Sequence, residues 1–396
     1  MKIAELRTFV VGNPPPSFGG RYFVFLTLTT EDGVKGVGEV YAATFHPRAL
    51  EKMIEDVFER HVAGADPFAV EMLTRRVAAR GYSGRPDLSL IGVLSGIEMA
   101  CWDIVGKAVG RPVVELLGGR VHERLRAYTY LYREPDDPVD VYVDPDLAAE
   151  RAVVYAARGF TALKFDPLGP YSAFDPRQPS LEALARMETY VARVREAVGD
   201  KCDLLVGTHG QLTPAGAIRL ARRLERFDPL WLEEPVPPDS PEQMAKVARA
   251  TSIPIATGER LTTKHEFARV LATGAAAILQ PNLGRVGGLL EARKIAAIAE
   301  AHYAQIAPHL YCGPVVGAAN VQLAAGIPNF LLLEGIGSWD GFHAEILRKP
   351  ICFEDGYVIP PTEPGLGVEL DEEVALRHPY DGDELHLTPS DVPVVG

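Results

Sequence analysis

Ionisable and amide side chains recur in this sequence at the ends of short apolar runs that are typical of buried strands. The residues that could do chemistry at these ends are Lys164, Asp166, His209, Glu233, Glu259, Asn282, His309 and Glu334. Two carboxylates with oxygen or nitrogen groups nearby suit a hard cation such as Mg²⁺. A lysine and two histidines around such a cation could move protons. The pattern therefore favours cation-assisted proton transfer over a set of solvated strand caps.

The stretch 203–235 indicates how such side chains are positioned. Leu204–Val206 is a short apolar run, typical of a strand that is buried on both faces. A helical pattern follows, with a threonine at the N-cap and a proline at N1. A second strand, Leu230–Leu232, stops immediately before Glu233. Both strands place a polar group, His209 or Glu233, at their C-terminal ends, where parallel α/β folds carry their chemistry.

Strand and helix patterns alternate from about residue 125, at a spacing of about 25 residues that is typical of a (β/α)8 barrel. The predicted strands are Ala127–Tyr130, Ala162–Phe165, Leu204–Val206, Leu230–Leu232, Pro254–Ala256, Ala277–Leu279, Gln305–Ala307 and Phe330–Leu333. The preceding residues instead indicate antiparallel strands followed by helices, an α+β arrangement. We predict an α/β protein with an N-terminal α+β capping domain (1–122), a modified (β/α)8, TIM-like barrel (123–340) and a C-terminal segment (341–396) that packs back on the capping domain.

The composition sets limits on the class of protein. The 396 residues are 47% hydrophobic and 23% charged, which suits a large soluble globule. A net charge of -13 argues against nucleic acids and anionic membranes as partners. No apolar run reaches the length of about 18 residues that a membrane span needs. The four cysteines form no CxxC pair, which is typical of reduced thiols in the cytoplasm. We therefore expect a cytoplasmic homo-oligomer that acts on a small molecule.

Two segments resemble signatures of the mandelate racemase and muconate lactonizing branch of the enolase superfamily. One segment is Ser95–Gly119, and the other runs from Gly207-x-His209 to Glu233-Glu234-Pro235 with its spacings intact. The resemblance covers essentially the whole chain. It implies a capping domain over a barrel, and Mg²⁺ that stabilises the enediolate formed when a proton leaves the carbon next to a carboxylate.

The resemblance also implies a role for each site residue. The set is closest to that of the galactonate-type sugar-acid dehydratases, in which a histidine two residues after the first metal ligand protonates a departing hydroxyl. His209 occupies that place. The implied roles are metal ligand for Glu233 and Glu259, substitute metal ligand as an alternative for His209, strand-two lysine for Lys164, base for His309, and contact with the substrate carboxylate for Glu334.

Three positions depart from the family pattern. Gly207 stands where an aspartate, the first metal ligand, is expected, so the affinity for Mg²⁺ should fall unless another group or water fills the gap. Asn282 replaces the aspartate that partners the strand-seven histidine, which predicts a lower pKa for His309. The run from Lys164 to Asp166 lacks the second lysine of the racemases, which argues against a two-base racemization. Asp166 could be catalytic or could be an ion-pair partner of Lys164.

The predicted reaction is the dehydration of an acid sugar. A 2,3-dihydroxy carboxylate would bind Mg²⁺ and Lys164, His309 would remove the α-proton, and His209 would protonate the leaving 3-hydroxyl to give a 2-keto-3-deoxy acid. An epimerase or lactone cycloisomerase of the same superfamily is one alternative. The other is a metal-poor, non-catalytic binding or structural protein, which Gly207 and Asn282 favour.

The capping domain is expected to select the substrate. The loop 14–22 is rich in glycine and proline and carries Arg21 and Tyr22, which could contact an acid polyol. His46 could belong to a second capping loop, and Tyr311 follows a barrel strand. For each of these residues, an ordinary turn or packing role is the alternative.

Overall fold

The N-terminal part is a three-stranded antiparallel sheet in the order β1-β2-β3, packed against helices. A computed structural model describes residues 1–41, 45–79, 82, 85 and 87–394. The elements of this part are β1 (Ile3–Gly12), β2 (Tyr22–Thr30), β3 (Lys35–Val40), α1 (Pro47–Val57) with a π-helical turn over Phe58–Val62, α2 (Val70–Ala79), α3 (Leu88–Val109) and α4 (Val113–Leu116). A Cβ atom at Gly38 of β3 would lie 1.8 Å from the Gly96 carbonyl oxygen of α3, so this close approach requires glycine.

Helix α3 is the one described helix that is long and apolar enough to cross a membrane by length and composition. In the structure, 78% of its most apolar window is buried inside the protein. Its Asp87 N-cap side chain accepts a hydrogen bond from the backbone N–H of Leu90, and Gly110 ends it in the left-handed conformation. The helix therefore has the surroundings of a core helix.

Eight strands form the barrel that follows. They are β4 (Leu125–Tyr130), β5 (Ala162–Phe165), β6 (Asp203–Gly207), β7 (Trp231–Glu233), β8 (Ile255–Thr257), β9 (Ile278–Leu279), β10 (Gln305–Ile306) and β11 (Leu333–Gly335). Their pairings are parallel and follow chain order from β4 to β10. Strand β11 pairs with β4, and a bridge between Ile306 and Phe330 closes the circle. The predicted fold class, a TIM-like barrel with a capping domain, is confirmed.

Helices connect the barrel strands. They are α5 (Pro145–Ala157), α6 (Leu181–Val198), α7 (Pro214–Leu224), α8 (Pro241–Ala248), α9 (Thr263–Thr273), α10 (Gly288–Ala301) and α11 (Pro314–Ala325). Seven predicted strands overlap the observed strands closely. The eighth was predicted over Phe330–Leu333 but lies at Leu333–Gly335, because the residues before Leu333 pair with the barrel only around Ile306.

The barrel interior is layered, and this layering positions the polar residues. One buried hydrophobic residue in each strand, or directly next to it, forms a floor: Tyr128, Ala162, Leu205, Trp231, Ala256, Ile278, Ala307 and Leu332. Side chains in a strand alternate between faces, so the residue two positions later points to the same side. The residues two positions after the floor are Tyr130, Lys164, Gly207, Glu233, Gly258, Gln280, His309 and Glu334. The strand period therefore builds a polar layer above an apolar floor.

Two buried carboxylates of the N-terminal part attach it to the barrel. Glu98 of α3 accepts hydrogen bonds from the Leu289 and Leu290 N–H groups at 2.8 and 2.9 Å, at the start of α10. Glu39 of β3 accepts from backbone N–H groups at the start of α11, including that of Val316. Helix N-termini present unpaired donors and a positive dipole end, so buried carboxylates are well placed there.

The C-terminal residues contact both parts of the chain. The hairpin of β12 (Cys352–Glu354) and β13 (Tyr357–Ile359) pairs antiparallel with β4. The short helix α12 (Phe342–Glu345) precedes this hairpin in the chain, and α13 (Glu372–Arg377) follows it. Pro379 then forms an isolated antiparallel β-bridge with Val11 of β1. The domain limits at residues 122 and 340 stay a prediction.

Candidate active site

Lys164 lies at the centre of the polar layer, between two glutamates. Its Nζ atom is 2.6 Å from Glu233 Oε1 and 3.3 Å from Glu334 Oε1, and its side chain is 1% exposed. Burial alone would lower the pKa of Lys164, but the charges of Glu233 and Glu334 outweigh it and raise that pKa. Burial raises the pKa of Glu334 to about 7, against the opposing effect of Lys164. The lysine is therefore a buried ammonium ion that both carboxylates face.

The predicted Mg²⁺ site was tested against the donors around Glu233. One carboxylate oxygen of Glu233 accepts from Lys164, and the other accepts from Gln280 Nε2 at 2.7 Å and from Trp231 Nε1 at 3.1 Å. Both oxygens are thus already bonded to donors. No group of three histidine, cysteine, aspartate or glutamate side chains within the described part of the chain is arranged to hold a metal ion.

The position of the missing ligand is filled by another side chain. A Cβ atom at Gly207 would lie only 3.0 Å from the Tyr130 hydroxyl oxygen. That hydroxyl is buried and has no hydrogen-bond partner among the residues that the structure describes. The residues present do not complete a Mg²⁺ site with three protein ligands, and Mg²⁺ binding stays a prediction.

His209 follows β6 in a left-handed backbone conformation, with φ of 46°. Its Nδ1 atom lies 2.8 Å from Asp166 Oδ2 and 2.7 Å from the Tyr171 hydroxyl oxygen. The other oxygen of Asp166 accepts from the Leu168 N–H at 2.9 Å. Burial alone would lower the pKa of His209, but the hydrogen bond to Asp166 and the charge of Glu259 outweigh it and raise that pKa. Asp166 therefore pairs with His209, whereas the described ion pairs of Lys164 are with other carboxylates.

His309 follows β10 and is held by different partners. Its Nδ1 atom lies 2.9 Å from Asn282 Nδ2, and its Nε2 atom lies 3.2 Å from Glu259 Oε2. Asn282 Oδ1 accepts the Gly284 N–H at 2.9 Å. Burial lowers the pKa of His309 to about 3, although Glu259 opposes this effect. The imidazole is therefore neutral at ordinary pH.

These groups line one cavity of about 380 Å³ at the C-terminal end of the barrel. The predicted site residues that line it are Lys164, Asp166, His209, Glu259, His309, Tyr311 and Glu334. Glu233 lies beside Lys164, and Asn282 lies behind His309, so both touch lining residues. The structure therefore brings together all eight polar residues of the strand ends.

Three predicted substrate contacts have other partners. Arg21 donates to the Leu385 carbonyl oxygen at 2.8 Å and pairs with Glu384 at 2.9 Å. Tyr22 packs against Tyr380, with ring centroids 4.8 Å apart. His46 is the N-cap of α1, and its Nε2 atom is 3.1 Å from the Gly382 carbonyl oxygen. These side chains do not line the cavity, because they bind the C-terminal segment instead; their contact with substrate stays a prediction.

Sequence reasoning missed part of the lining, in particular Asp140, Tyr142, Tyr171 and Leu387. Tyr171 follows Gly169-Pro170 in the long loop after β5, and that loop is the signal that could have found it. No sequence pattern marks Leu387 as a lining residue. It reaches the cavity because residues near the C-terminus cross the mouth of the barrel. There the Ser390 N–H donates to the Tyr171 carbonyl oxygen at 2.8 Å.

Comparisons with known proteins agree with this architecture. The family profile for the mandelate racemase / muconate lactonizing enzyme N-terminal domain matches residues 16–118, and the enolase C-terminal domain-like profile matches residues 146–374. A mandelate racemase/muconate lactonizing enzyme of known crystal structure from Sulfitobacter sp. is 52% identical, with a TM-score of 0.97 over 99% of each chain.

Two similar relatives carry functional names. A D-galactonate dehydratase from Verminephrobacter eiseniae is 35% identical over 96% of this chain and 95% of its own length. A D-xylonate dehydratase from Haloferax volcanii is 32% identical over 97% of this chain and 90% of its own length. Members of this superfamily generally use Mg²⁺. The chain is therefore an enzyme of the enolase superfamily and belongs to its mandelate racemase/muconate lactonizing enzyme family.

Proposed function

We propose that this enzyme is a carbon–oxygen lyase that dehydrates an acid sugar to a 2-keto-3-deoxy acid. The observation that carries the proposal is the convergence of an ammonium group, Lys164, and two imidazoles, His209 and His309, on one cavity. Removal of a proton next to a carboxylate needs a base and a positive charge near the developing enediolate. The dehydratase names of the relatives support the same reaction class.

The lining of the cavity supports a polyhydroxylated substrate. Six tyrosines line it: Tyr41, Tyr130, Tyr132, Tyr142, Tyr171 and Tyr311. A phenol group offers an apolar face and a hydroxyl that can donate or accept, which suits the alternating C–H and O–H groups of a sugar chain. The buried Tyr130 hydroxyl has no partner among the described protein groups, so a substrate hydroxyl would supply one.

The positive charge for the enediolate has two candidate sources. Mg²⁺, predicted from the sequence, would be held by Glu233 and Glu259 and would supply a divalent counter-charge. The contacts favour Lys164 instead, because its ammonium group already bonds Glu233 and faces the cavity. We therefore assign an electrostatic role to Lys164.

A screen of acid sugars tests the proposal. The purified enzyme is incubated in ²H₂O with D-galactonate, D-xylonate and other stereoisomeric aldonates of four to six carbon atoms. The 2-keto acids formed are measured by semicarbazide absorbance. We expect one or a few substrates to give a 2-keto-3-deoxy acid. Incorporation of α-deuterium without a 2-keto acid would favour an epimerase instead, and absence of both would refute the proposal.

Two histidine variants provide a matched comparison for the active substrate. His309→Asn alters an imidazole that lines the cavity, whereas His302→Asn alters an exposed imidazole at the end of α10. We expect His309→Asn to lower turnover strongly and His302→Asn to leave it unchanged. Equal activities would move the chemistry away from this cavity.

A further inference from the structure

The hydrogen bonds around His309 determine which of its ring nitrogens carries the proton. Asn282 Oδ1 accepts the Gly284 backbone N–H, so the Nδ2 group of Asn282, which only donates, faces His309 Nδ1. Reversing the amide would place two donors against each other at Gly284. Nδ1 of His309 must therefore be the lone-pair nitrogen, and the proton lies on Nε2, directed at Glu259 Oε2.

The hydrogen bonds around His209 determine the opposite tautomer. Its Nδ1 atom faces Asp166 Oδ2 at 2.8 Å, and a carboxylate oxygen only accepts. If Nδ1 carried no proton, two lone pairs would face each other at this distance. The proton therefore lies on Nδ1, and the Tyr171 hydroxyl oxygen beside it can share that proton. The lone pair is then on Nε2, for which the described protein groups offer no hydrogen bond.

From these two networks we infer that His209 is the base of the reaction and that His309 is a neutral hydrogen-bond donor. This reverses the roles implied by the family resemblance. An Asp–His pair orients an imidazole and stabilises its protonated form, as a base requires. An Asn–His pair cannot do this, because the amide N–H would oppose a proton on Nδ1. The substitution at Asn282 therefore moves the base from the seventh strand to the third.

The chemical consequence, which rests on the proposed dehydration, can be written with all protons balanced. His209 Nε2 takes the proton from C2, and the C–H electron pair passes into the enediolate of the carboxylate. The C3–O bond then breaks as the C2=C3 bond forms, and the hydroxyl leaves as water with the proton that His209 returns. His309 keeps its Nε2 proton throughout and donates a hydrogen bond to a substrate oxygen, and the resulting enol becomes the 2-keto acid.

Long-range ¹H–¹⁵N spectra of the histidine-labelled, substrate-free enzyme test the tautomers directly, when they are recorded at a pH above the raised pKa of His209, where both imidazoles are neutral. The His209→Gln and His309→Gln variants assign the two sets of ring signals by their loss. We expect an unprotonated, pyridine-type nitrogen at Nε2 of His209 and at Nδ1 of His309. An unprotonated Nε2 in His309, or a proton on Nε2 of His209, would overturn the inference.

The variant Asn282→Asp tests the cause of the tautomer. An aspartate at this position only accepts, so the proton of His309 should move from Nε2 to Nδ1 while the His209 signals stay unchanged. An unchanged His309 pattern would refute the role of Asn282. The folding of each variant is checked by comparing its remaining histidine signals with those of the wild type.

Kinetics on an acid sugar identified by the screen test the roles themselves. His209→Gln should lower α-deuterium exchange by about 10²–10⁴-fold, the usual effect of losing a general base. His309→Gln should lower it less, because glutamine keeps an N–H donor. The reverse order would overturn the inference. If no acid sugar is dehydrated, the proposed function fails while the tautomer assignment stands or falls on the spectra alone.

Discussion

Replacing Lys164 by methionine tests whether its ammonium group is the cation of the active site. Methionine keeps an unbranched apolar stem but removes the charge. Glu233 would keep its hydrogen bonds from Gln280 and Trp231, and Glu334 would keep the one from the Leu310 N–H. Neither carboxylate would then have a cation within 3.3 Å, which is the present distance from Lys164 Nζ to Glu334 Oε1.

The expected loss of stability follows from the burial of this ion pair. Lys164 and Glu233 are each 1% exposed, so the surviving charge cannot be solvated. Removing one partner of a buried ion pair costs about 3–5 kcal/mol of unfolding free energy. For a chain of 396 residues, an unfolding entropy of about 0.8 kcal/mol/K gives a fall in Tm of about 4–6 °C.

Calorimetry in metal-free buffer with a chelator measures this shift. Lys349→Met is the matched control, because Lys349 pairs with Glu363 at the surface and its side chain is 53% exposed. We expect the control to change stability by less than about 0.5 kcal/mol. Adding Glu233→Gln to Lys164→Met should recover part of the loss, since one unpaired charge disappears. A Tm for Lys164→Met within a degree of the control would refute the reasoning.

Two further predictions concern the metal and the attachment of the capping part. Neither a chelator nor millimolar Mg²⁺ should change the Tm of the wild type. The double variant Gly207→Asp/Tyr130→Phe should instead gain about 2.7 kcal/mol of unfolding free energy at a Mg²⁺ concentration 100-fold above its Kd. A Tm of the wild type that rises with Mg²⁺ would contradict the first of these expectations. Glu98→Ala should lower the free energy of unfolding, measured by urea denaturation. The expected loss is about 1–3 kcal/mol for each N–H group of α10 that loses its acceptor. The exposed Glu115→Ala serves as its control, and equal stabilities would show that Glu98 does not hold the domains together.

Much of the fold could be predicted because its signals are local. Short apolar runs about 25 residues apart indicate parallel strands joined by helices. The two-residue period of a strand then fixes which side chains share a face, so Lys164 follows Ala162 and Glu233 follows Trp231 into the barrel. Lys164, Glu233, His309 and Glu334 follow this period, and the other four polar residues were found because they stand just after the apolar runs. The last strand was displaced because its apolar run begins before the residues that pair with β4.

The partners of these residues depended on the tertiary structure. The sequence leaves open whether Asp166 is catalytic or pairs with Lys164. In the structure Asp166 pairs with His209, which the turn after β6 brings to it. Likewise, Arg21 and His46 bind the C-terminal segment and do not line the cavity. Their partners lie more than 300 residues away in the chain.

The sequence by itself determined which chemical groups this protein has and that they meet at one end of a barrel. The tertiary structure alone decided what each group bonds, and so where the protons lie. His309 shows the difference: the sequence gives its neighbour as Asn282, but the backbone N–H of Gly284 sets which way that amide points. Strand period and apolar patterning act over a few residues, whereas the direction of a hydrogen bond depends on every donor and acceptor packed around it.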